Sequence, residues 1–268
     1  MFDYHIHSHF SPDAIMTMEA GIKAAITKGL SEICFTDHID YDFDGNNHHI
    51  IFDYDDYFKA IKNYKDKYKN EIEIKIGVEL GLQSHSLDKY NEDIQNHSFD
   101  FVIGSVHSVE KTDLYSGSFF NKKTQLEAYS KYFEELYLII TQFEEFNVIG
   151  HLDVIKRYGS YDIPLPLESY SEITRSILLR IIEKGKGIEL NTSGIRYQVG
   201  DYHPSLDVFK LYHQLGGEII TIGSDAHRTD QLGFDLKNAL KALDIIGFKY
   251  ICTFDTMQPR FHKIISLI

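Results

Sequence analysis

The chain has 268 residues, 43% of them hydrophobic and 25% charged, which is the balance of a globular protein with a sizeable core. Its formal net charge of −13 argues against a protein that binds nucleic-acid backbones, because that task requires clustered lysine and arginine. No stretch has the roughly 18 apolar residues of a transmembrane helix, and the N-terminus lacks the pattern of a secretory signal, so we expect a cytoplasmic location without membrane contact.

Seven short runs rich in Ile, Val, Phe and Tyr alternate with stretches of helical periodicity, and no Pro- or Ser-rich linker divides them. The predicted strands cover residues 2–9, 32–38, 73–82, 99–109, 148–155, 187–194 and 218–227. The clearest predicted helices cover residues 123–145, 167–184 and 229–246. A last run, 249–254, is either an eighth strand or a closing flap, and we predict a single domain over 1–268.

This alternation predicts an α/β protein with parallel strands and crossover helices. Both an open doubly wound sheet and a closed barrel fit the order of the elements. The positions of the polar residues favour the barrel, because nearly every strand ends in His, Asp or Glu. A closed ring of parallel strands brings all those ends to one mouth, whereas the outer strands of an open sheet end too far apart to share a site.

The first predicted strand carries His5, His7 and His9, separated by single residues. A period of two places all three imidazoles on one face of a strand. Buried imidazoles need polar partners, and neutral imidazole is a favoured ligand of zinc, iron and similar ions. The pattern therefore predicts metal binding, to which Asp13 adds a carboxylate from the following turn.

Residues of the same kinds recur at the ends of the later strands. In chain order they are His38, Glu79, His107, His151, Asp225 and His227. A single histidine at a strand end is usually structural. Occurrence at six strand ends, with the first strand included, predicts one shared metal centre instead.

The motifs DYHIHSHFSPDA, FTDH, GVELG, GSVHS, GHLD and GSDAH, in this order from residue 3 to residue 227, resemble those of the PHP (polymerase and histidinol phosphatase) family. The resemblance implies a distorted (β/α)7 TIM-like barrel with a trinuclear metal site at the C-terminal ends of the strands. The implied ligands are His5, His7, Glu79 and Asp225 for one metal, Glu79, His107 and His151 for a second, and Asp13, His38 and His227 for a third. All nine positions carry residues that can bind a metal, and the position of Asp13 is also occupied by His in the family.

Two divalent metals that share a water lower its pKa to about 7 and neutralise charge on a phosphoryl oxygen, so a site of this kind suits the hydrolysis of phosphate esters. Asp225 is the candidate to accept the proton of the attacking water, because it would ligate beside the shared water. Glu79 and His38 complete the predicted catalytic residues. The donor of a proton to the leaving group is not apparent.

Arg157 and Arg196 follow the fifth and sixth strands, on the mouth side, where a guanidinium group can bind a phosphate through two hydrogen bonds. With Tyr115 they look like the phosphate-contacting residues of the histidinol-phosphatase branch, although two serines near Tyr115 are alternatives. His9 is not among the implied ligands. It either contacts substrate or simply lines the mouth.

The resemblance, a length close to that of a stand-alone PHP phosphatase and the net charge of −13 favour an enzyme that hydrolyses L-histidinol phosphate to L-histidinol and phosphate in histidine biosynthesis. The implied cofactors are two to three divalent ions, Zn, Mn or Fe or a mixture of them. The alternative is a PHP phosphoesterase for another phosphorylated small molecule, a nucleotide or a nucleic-acid end. An inactive metal-binding module is disfavoured by the complete ligand set. The acidic segment 40–56 is expected to be a solvated loop or a lid.

Overall fold

The strands and helices alternate along the whole chain, and the computed structural model describes every residue from 1 to 268. The strands are β1 (Phe2–Ile6), β2 (Glu32–Phe35), β3 (His38–Ile39), β4 (Glu73–Gly81), β5 (Phe101–Ser105), β6 (Ser108–Val109), β7 (Thr112–Asp113), β8 (Val148–Ile149), β9 (Gly187–Asn191), β10 (Ile220–Gly223), β11 (Tyr250–Asp255) and β12 (Gln258–Lys263). The helices are α1 (Met18–Thr27), α2 (Tyr54–Tyr68), α3 (Leu87–Asn96), α4 (Gln125–Gln142), α5 (Ser171–Glu183), α6 (Ser193–Arg196), α7 (Leu206–Gln214) and α8 (Leu236–Ile246).

Seven strands pair in parallel in the order β1-β2-β4-β5-β8-β9-β10. The ring is joined beyond the end of β10, where Ile6 forms a parallel bridge with Ala226 and the His7 amide donates to the Ala226 carbonyl at 2.9 Å. The short strand β3 pairs with β4 and sets His38 opposite Glu79. The predicted seven-stranded TIM-like barrel is therefore confirmed, and its first and last strands are neighbours.

Several helices begin at a side chain that caps their free amides. Thr124 accepts a hydrogen bond from the Glu127 amide while the Glu127 side chain accepts one from the Thr124 amide, a capping box that starts α4. Asp53 caps α2 by accepting from the Asp56 amide. Helices α2, α5 and α8 then pack on strands β4, β9 and β10. None of the helices combines the length and the apolar character that crossing a bilayer requires.

Strands β11 and β12 form an antiparallel hairpin outside the ring. In its turn, the Met257 amide donates to the Asp100 carbonyl at 2.9 Å, and Asn147 Nδ2 donates to the Met257 carbonyl at 3.0 Å. Asp100 and Asn147 immediately precede β5 and β8, so the hairpin turn lies against the N-terminal end of the ring. Of the two predictions for residues 249–254, the closing flap is correct and the eighth barrel strand is wrong.

Several predicted strands extend too far at their C-terminal ends. The run 148–155 contains only the two-residue strand β8, and the run 218–227 ends as a strand at Gly223. His151 and Asp225 have positive φ angles of 23° and 54°, which lie outside the β region. These polar residues therefore lie in turns just beyond the strands, where side chains no longer alternate between two faces.

The acidic segment 40–56 is largely a loop between β3 and α2. Asp40 and Ile50 form an antiparallel bridge that closes it, and Ser108 Oγ donates to the Phe43 carbonyl at 2.6 Å. The loop thus rests against β6 at the C-terminal side of the barrel. Whether it acts as a lid stays a prediction.

Candidate metal centre

The nine residues predicted as ligands meet at the C-terminal mouth of the barrel. We call them the ligand cluster: His5, His7, Asp13, His38, Glu79, His107, His151, Asp225 and His227. Several groups of three donor atoms within this cluster lie within 4.8 Å of one another, a spacing at which they could hold a metal ion.

Glu79 lies at the centre of the cluster on β4 and is fully buried. Its Oε2 lies 3.2 Å from His5 Nε2 and 3.5 Å from His7 Nε2. Its Oε1 lies 2.9 Å from His151 Nε2 and 3.3 Å from His107 Nε2. His38 Nδ1 also lies 3.0 Å from Oε2, so the two oxygens face different sets of imidazoles, three at Oε2 and two at Oε1. Such a carboxylate would suit two metal ions at once.

Two further carboxylates connect the remaining histidines. Asp225 Oδ1 lies 3.4 Å from His7 Nε2 and 3.5 Å from His227 Nδ1. Asp13 Oδ2 lies 3.3 Å from His227 Nε2 and 3.8 Å from His38 Nε2. The side chain of Asp13 is 60% exposed, so this residue forms the solvent edge of the cluster.

Several donor atoms at the centre are buried without a hydrogen-bond partner: His5 Nε2, His7 Nε2, His38 Nδ1 and Glu79 Oε2. They approach one another to between 3.0 and 3.5 Å but without hydrogen-bond geometry. Leaving such an atom buried and unpaired costs roughly 1–3 kcal/mol. Imidazole nitrogens and carboxylate oxygens are donors that zinc, iron and manganese accept, so the residues fit divalent metal ions.

Two buried carboxylates that were not predicted from the sequence contact the Nδ1 atoms of two histidines, on the ring side away from Glu79. Glu189 Oε1 on β9 lies 2.7 Å from His5 Nδ1, and Asp40 Oδ1 lies 2.7 Å from His107 Nδ1. Metal-binding histidines usually donate their second ring N–H to such a group, which fixes the tautomer. One sequence signal was available, because GIELN around Glu189 repeats the pattern of GVELG around Glu79.

The charges in the cluster shift pKa values in both directions. Burial opposes ionisation of Glu79, but the neighbouring imidazoles, above all His5, outweigh it and hold the Glu79 pKa well below its ordinary value. Burial likewise opposes protonation of His5, yet the carboxylates of Glu189 and Glu79 hold the His5 pKa well above the ordinary value. Burial and the adjacent imidazoles, His227 first, lower the pKa of His7. Protons and bound metals would therefore compete for the same atoms.

Arg157 and Arg196 lie together at the mouth. The guanidinium carbon of Arg157 lies 3.3 Å from the ring centre of Tyr197, and that of Arg196 lies 5.3 Å from the same ring. Through its two terminal nitrogens, Arg196 also donates to the carbonyl oxygens of Ser224 and Asp225, both at 2.8 Å. Two positive charges thus stand beside the ligand cluster, and one of them is anchored to the backbone of a predicted ligand.

His9 and Tyr115 lie outside the cluster. Strand β1 ends at Ile6 and the chain then turns, so His9 is exposed instead of following His7 into the barrel. The prediction of three imidazoles on one strand face is therefore wrong for His9. Tyr115, on the loop after β7, is 79% exposed, and its amide donates to Asp113 Oδ1 at 3.0 Å.

Fold and site together define a class of protein, an α/β barrel with a candidate multinuclear metal centre at the C-terminal ends of its strands. The sequence profile of the PHP domain family matches residues 3–193. The histidinol-phosphatase of Lactococcus lactis is 34% identical over 258 residues, which are 96% of this chain and 95% of that protein. The chain belongs to the PHP domain family.

Similarity to histidinol-phosphatases extends to further proteins and to a solved structure. A probable histidinol-phosphatase of Clostridium acetobutylicum is 31% identical over 251 residues, 93% of this chain and 95% of that protein. The crystal structure of histidinol phosphate phosphatase from Lactococcus lactis, complexed with zinc, L-histidinol and phosphate, matches this chain with a TM-score of 0.90 and 33% identity. The match covers 97% of this chain and 98% of that one.

Proposed function

We propose that this chain is a metal-dependent phosphatase that hydrolyses L-histidinol phosphate to L-histidinol and phosphate, a reaction of histidine biosynthesis. One combined observation supports the proposal. A complete ligand cluster stands beside two arginines in a chain that is similar, over nearly its whole length, to histidinol-phosphatases. The whole chain, 1–268, would act as one catalytic domain.

We assign the ligand cluster to two or three divalent ions, zinc, manganese or iron. His5, His7, Glu79 and Asp225 would hold one ion, Glu79, His107 and His151 a second, and Asp13, His38 and His227 a third. The Glu79 oxygens face different imidazoles, His5, His7 and His38 at Oε2 and His107 and His151 at Oε1, which supports the first two assignments. When bound, such ions lower the pKa of water to about 7 and neutralise charge on a phosphoryl group.

Asp225 is the proposed acceptor of the proton that the attacking water loses. Burial opposes its ionisation, but His5 and His7 outweigh it and hold the Asp225 pKa well below its ordinary value, so the side chain is a carboxylate at neutral pH. Glu79 and His38 complete the proposed catalytic residues and orient the surrounding groups. Glu79 Oε2 lies 3.0 Å from His38 Nδ1.

Arg157 and Arg196 are the proposed phosphate-binding residues. The Arg196 guanidinium group is held beside Asp225 by its bonds to two backbone carbonyls, and the Arg157 group lies on the face of Tyr197. In a chain of net charge −13, these two cations give a phosphate dianion local partners. Tyr115 and His9, both exposed, are proposed to contact the substrate from the solvent side.

A substrate panel with chelator-stripped protein tests the proposal. Zn²⁺, Mn²⁺ and Fe²⁺ are restored separately, and kcat/KM is measured for L-histidinol phosphate, nucleoside monophosphates, sugar phosphates and 5′-phosphorylated oligonucleotides. We expect activity to depend on added metal and to be highest with L-histidinol phosphate. A kcat/KM on nucleotides equal to or above that on L-histidinol phosphate would contradict the substrate assignment. Full activity without metal would contradict the role of the ligand cluster.

A further inference from the structure

We propose that Glu189 is a positioning residue of the metal centre, and that its carboxylate holds His5 and His151 in the orientation that metal binding requires. The two histidines come from different parts of the ring, since His5 lies on β1 and His151 lies in the turn after β8. This inference rests on the metal site of the proposed function but not on the identity of the substrate.

The two oxygens of Glu189 have different partners. Oε1 lies 2.7 Å from His5 Nδ1, while Oε2 accepts from the His151 amide at 2.9 Å and from Asn191 Nδ2 at 3.0 Å. The side chain is 1% exposed, so water does not compete for these bonds. Glu189 lies on β9. Its carboxylate contacts His151 just after the neighbouring strand β8 and, in the other direction around the ring, His5 on β1, which is two strands away.

His151 needs this support because of its backbone. Its φ angle of 23° is uncommon for a residue that carries a side chain. The hydrogen bond from its amide to Glu189 favours this conformation, in which His151 Nε2 lies 2.9 Å from Glu79 Oε1. A ligand held in an uncommon conformation loses its place readily when the group that holds it is removed.

The barrel also leaves space for the Glu189 carboxylate. A Cβ atom added at Gly223 would lie 2.4 Å from Glu189 Oε1 and 2.4 Å from His5 Cβ, which is far too close. A Cβ atom at Gly150 would lie 3.5 Å from Glu189 Oε2, in ordinary contact. Gly223, directly before the turn that carries Asp225, thus creates the niche in which the carboxylate and His5 meet.

The contact with His5 also selects a tautomer. A carboxylate accepts only, so His5 Nδ1 carries the hydrogen in this pair, and in the neutral imidazole that would bind a metal Nε2 keeps its lone pair. His5 Nε2 lies 3.2 Å from Glu79 Oε2 and 3.8 Å from Asp225 Oδ1, at the centre of the cluster. Glu189 therefore turns the metal-binding nitrogen of His5 toward its proposed co-ligands.

The test is Glu189→Gln, because a glutamine amide has one accepting oxygen and cannot accept from both His5 and His151. Glu32→Gln is the matched control, since Glu32 is also a buried strand glutamate but bonds to the Tyr4 hydroxyl away from the cluster. We expect Zn²⁺ affinity, measured by competition with a chromogenic chelator, to fall about 10- to 100-fold in Glu189→Gln. The control should bind Zn²⁺ as the wild type does. Wild-type affinity in Glu189→Gln would overturn the inference.

A second measurement uses the wild-type protein and so does not depend on whether the variant folds. In zinc-loaded protein, ¹H–¹⁵N spectra of the histidine rings should show a slowly exchanging Nδ1–H for His5. An Nε2–H tautomer of His5 would contradict the inference. Neither measurement involves substrate, so a failed substrate panel would remove L-histidinol phosphate without touching Glu189, and unchanged Zn²⁺ affinity would do the reverse.

Discussion

The ligand cluster and the proposed substrate contacts share one mouth of the barrel but differ in how they are held. Glu79 is fully buried, and His5 and His107 are each supported by a buried carboxylate. By contrast, Tyr115 is 79% exposed, and Arg157 is held chiefly by stacking on an aromatic ring. The proposed ligands are thus held largely by buried contacts at and just beyond the strand ends, whereas the proposed substrate contacts lie outside the strands, in segments that tolerate change.

The comparison predicts the largest effect at the centre of the cluster. Glu79→Gln should lower kcat/KM by more than the ~100-fold typical of an outer partner of a ligand, because an amide cannot bridge two cations as a carboxylate does. Metal content, measured by elemental analysis, should fall with it. Glu73→Gln is the control, since Glu73 lies at the exposed start of the same strand. Full metal content and turnover in Glu79→Gln would contradict the bridging role.

Variants of the two arginines test whether the ligand cluster and the proposed substrate contacts act separately. Loss of a hydrogen bond to a charged group costs about 1.5–3 kcal/mol, so Arg157→Ala and Arg196→Ala should each lower kcat/KM roughly 10- to 100-fold, chiefly through KM. Arg196→Ala should also lower metal content, because Arg196 holds the Ser224 and Asp225 carbonyls. Arg157→Ala should leave metal content unchanged. Steady-state kinetics and elemental analysis of both variants would separate the roles, and unchanged kinetics would remove that arginine from the site.

Metal binding should depend on pH because His5 and His38, whose pKa values are raised, hold protons in the metal-free protein. Burial opposes protonation of His38, but Glu79 outweighs it and raises the His38 pKa to about 9. At neutral pH, His38 must therefore release a proton to bind a metal, and Zn²⁺ affinity should rise about tenfold per pH unit toward that pKa. Calorimetric titration in buffers of different ionisation enthalpy measures the protons released. An affinity that does not change over this range would contradict the prediction.

The smallest effect is expected at the exposed edge. Tyr115→Phe removes one neutral hydroxyl, worth about 0.5–1.5 kcal/mol if it contacts substrate, and should raise KM roughly 2- to 10-fold with metal content unchanged. Tyr137→Phe on the surface of α4 is the matched control. His9→Ala should behave as Tyr115→Phe does. Loss of metal in either variant would show that the two regions are not separate.

The sequence was sufficient for the parts of the site where residue type and position along a strand determine the outcome. His5, Glu79 and Asp225 were identified because polar residues at the ends of parallel strands converge in a barrel. Glu189 and Asp40 were missed because their roles depend on partners 184 and 67 residues away along the chain. Only the folded ring brings those partners to hydrogen-bond distance.

Local backbone geometry accounts for the other differences. Alternation of polar and apolar residues continues past the ends of the strands, so the sequence gives no sign that β1 ends at Ile6 and that His9 turns outward. The positive φ angles of His151 and Asp225 are equally absent from any pattern of hydropathy. The alternation of strands and helices and the closed ring were predictable, while the turns that orient individual side chains were not.

The bridge between Ile6 and Ala226 has a consequence for how the enzyme reaches its active form. His5 and His7 are made before the rest of the barrel, and Asp225 and His227 follow only after almost all of it has been made. Contacts between such distant segments form slowly, because the chain must lose the entropy of closing a long loop before the contacts stabilise it. The nascent chain therefore carries histidines that cannot share a complete site until the ring closes, and bound metal would stabilise the joint between its first and last strands.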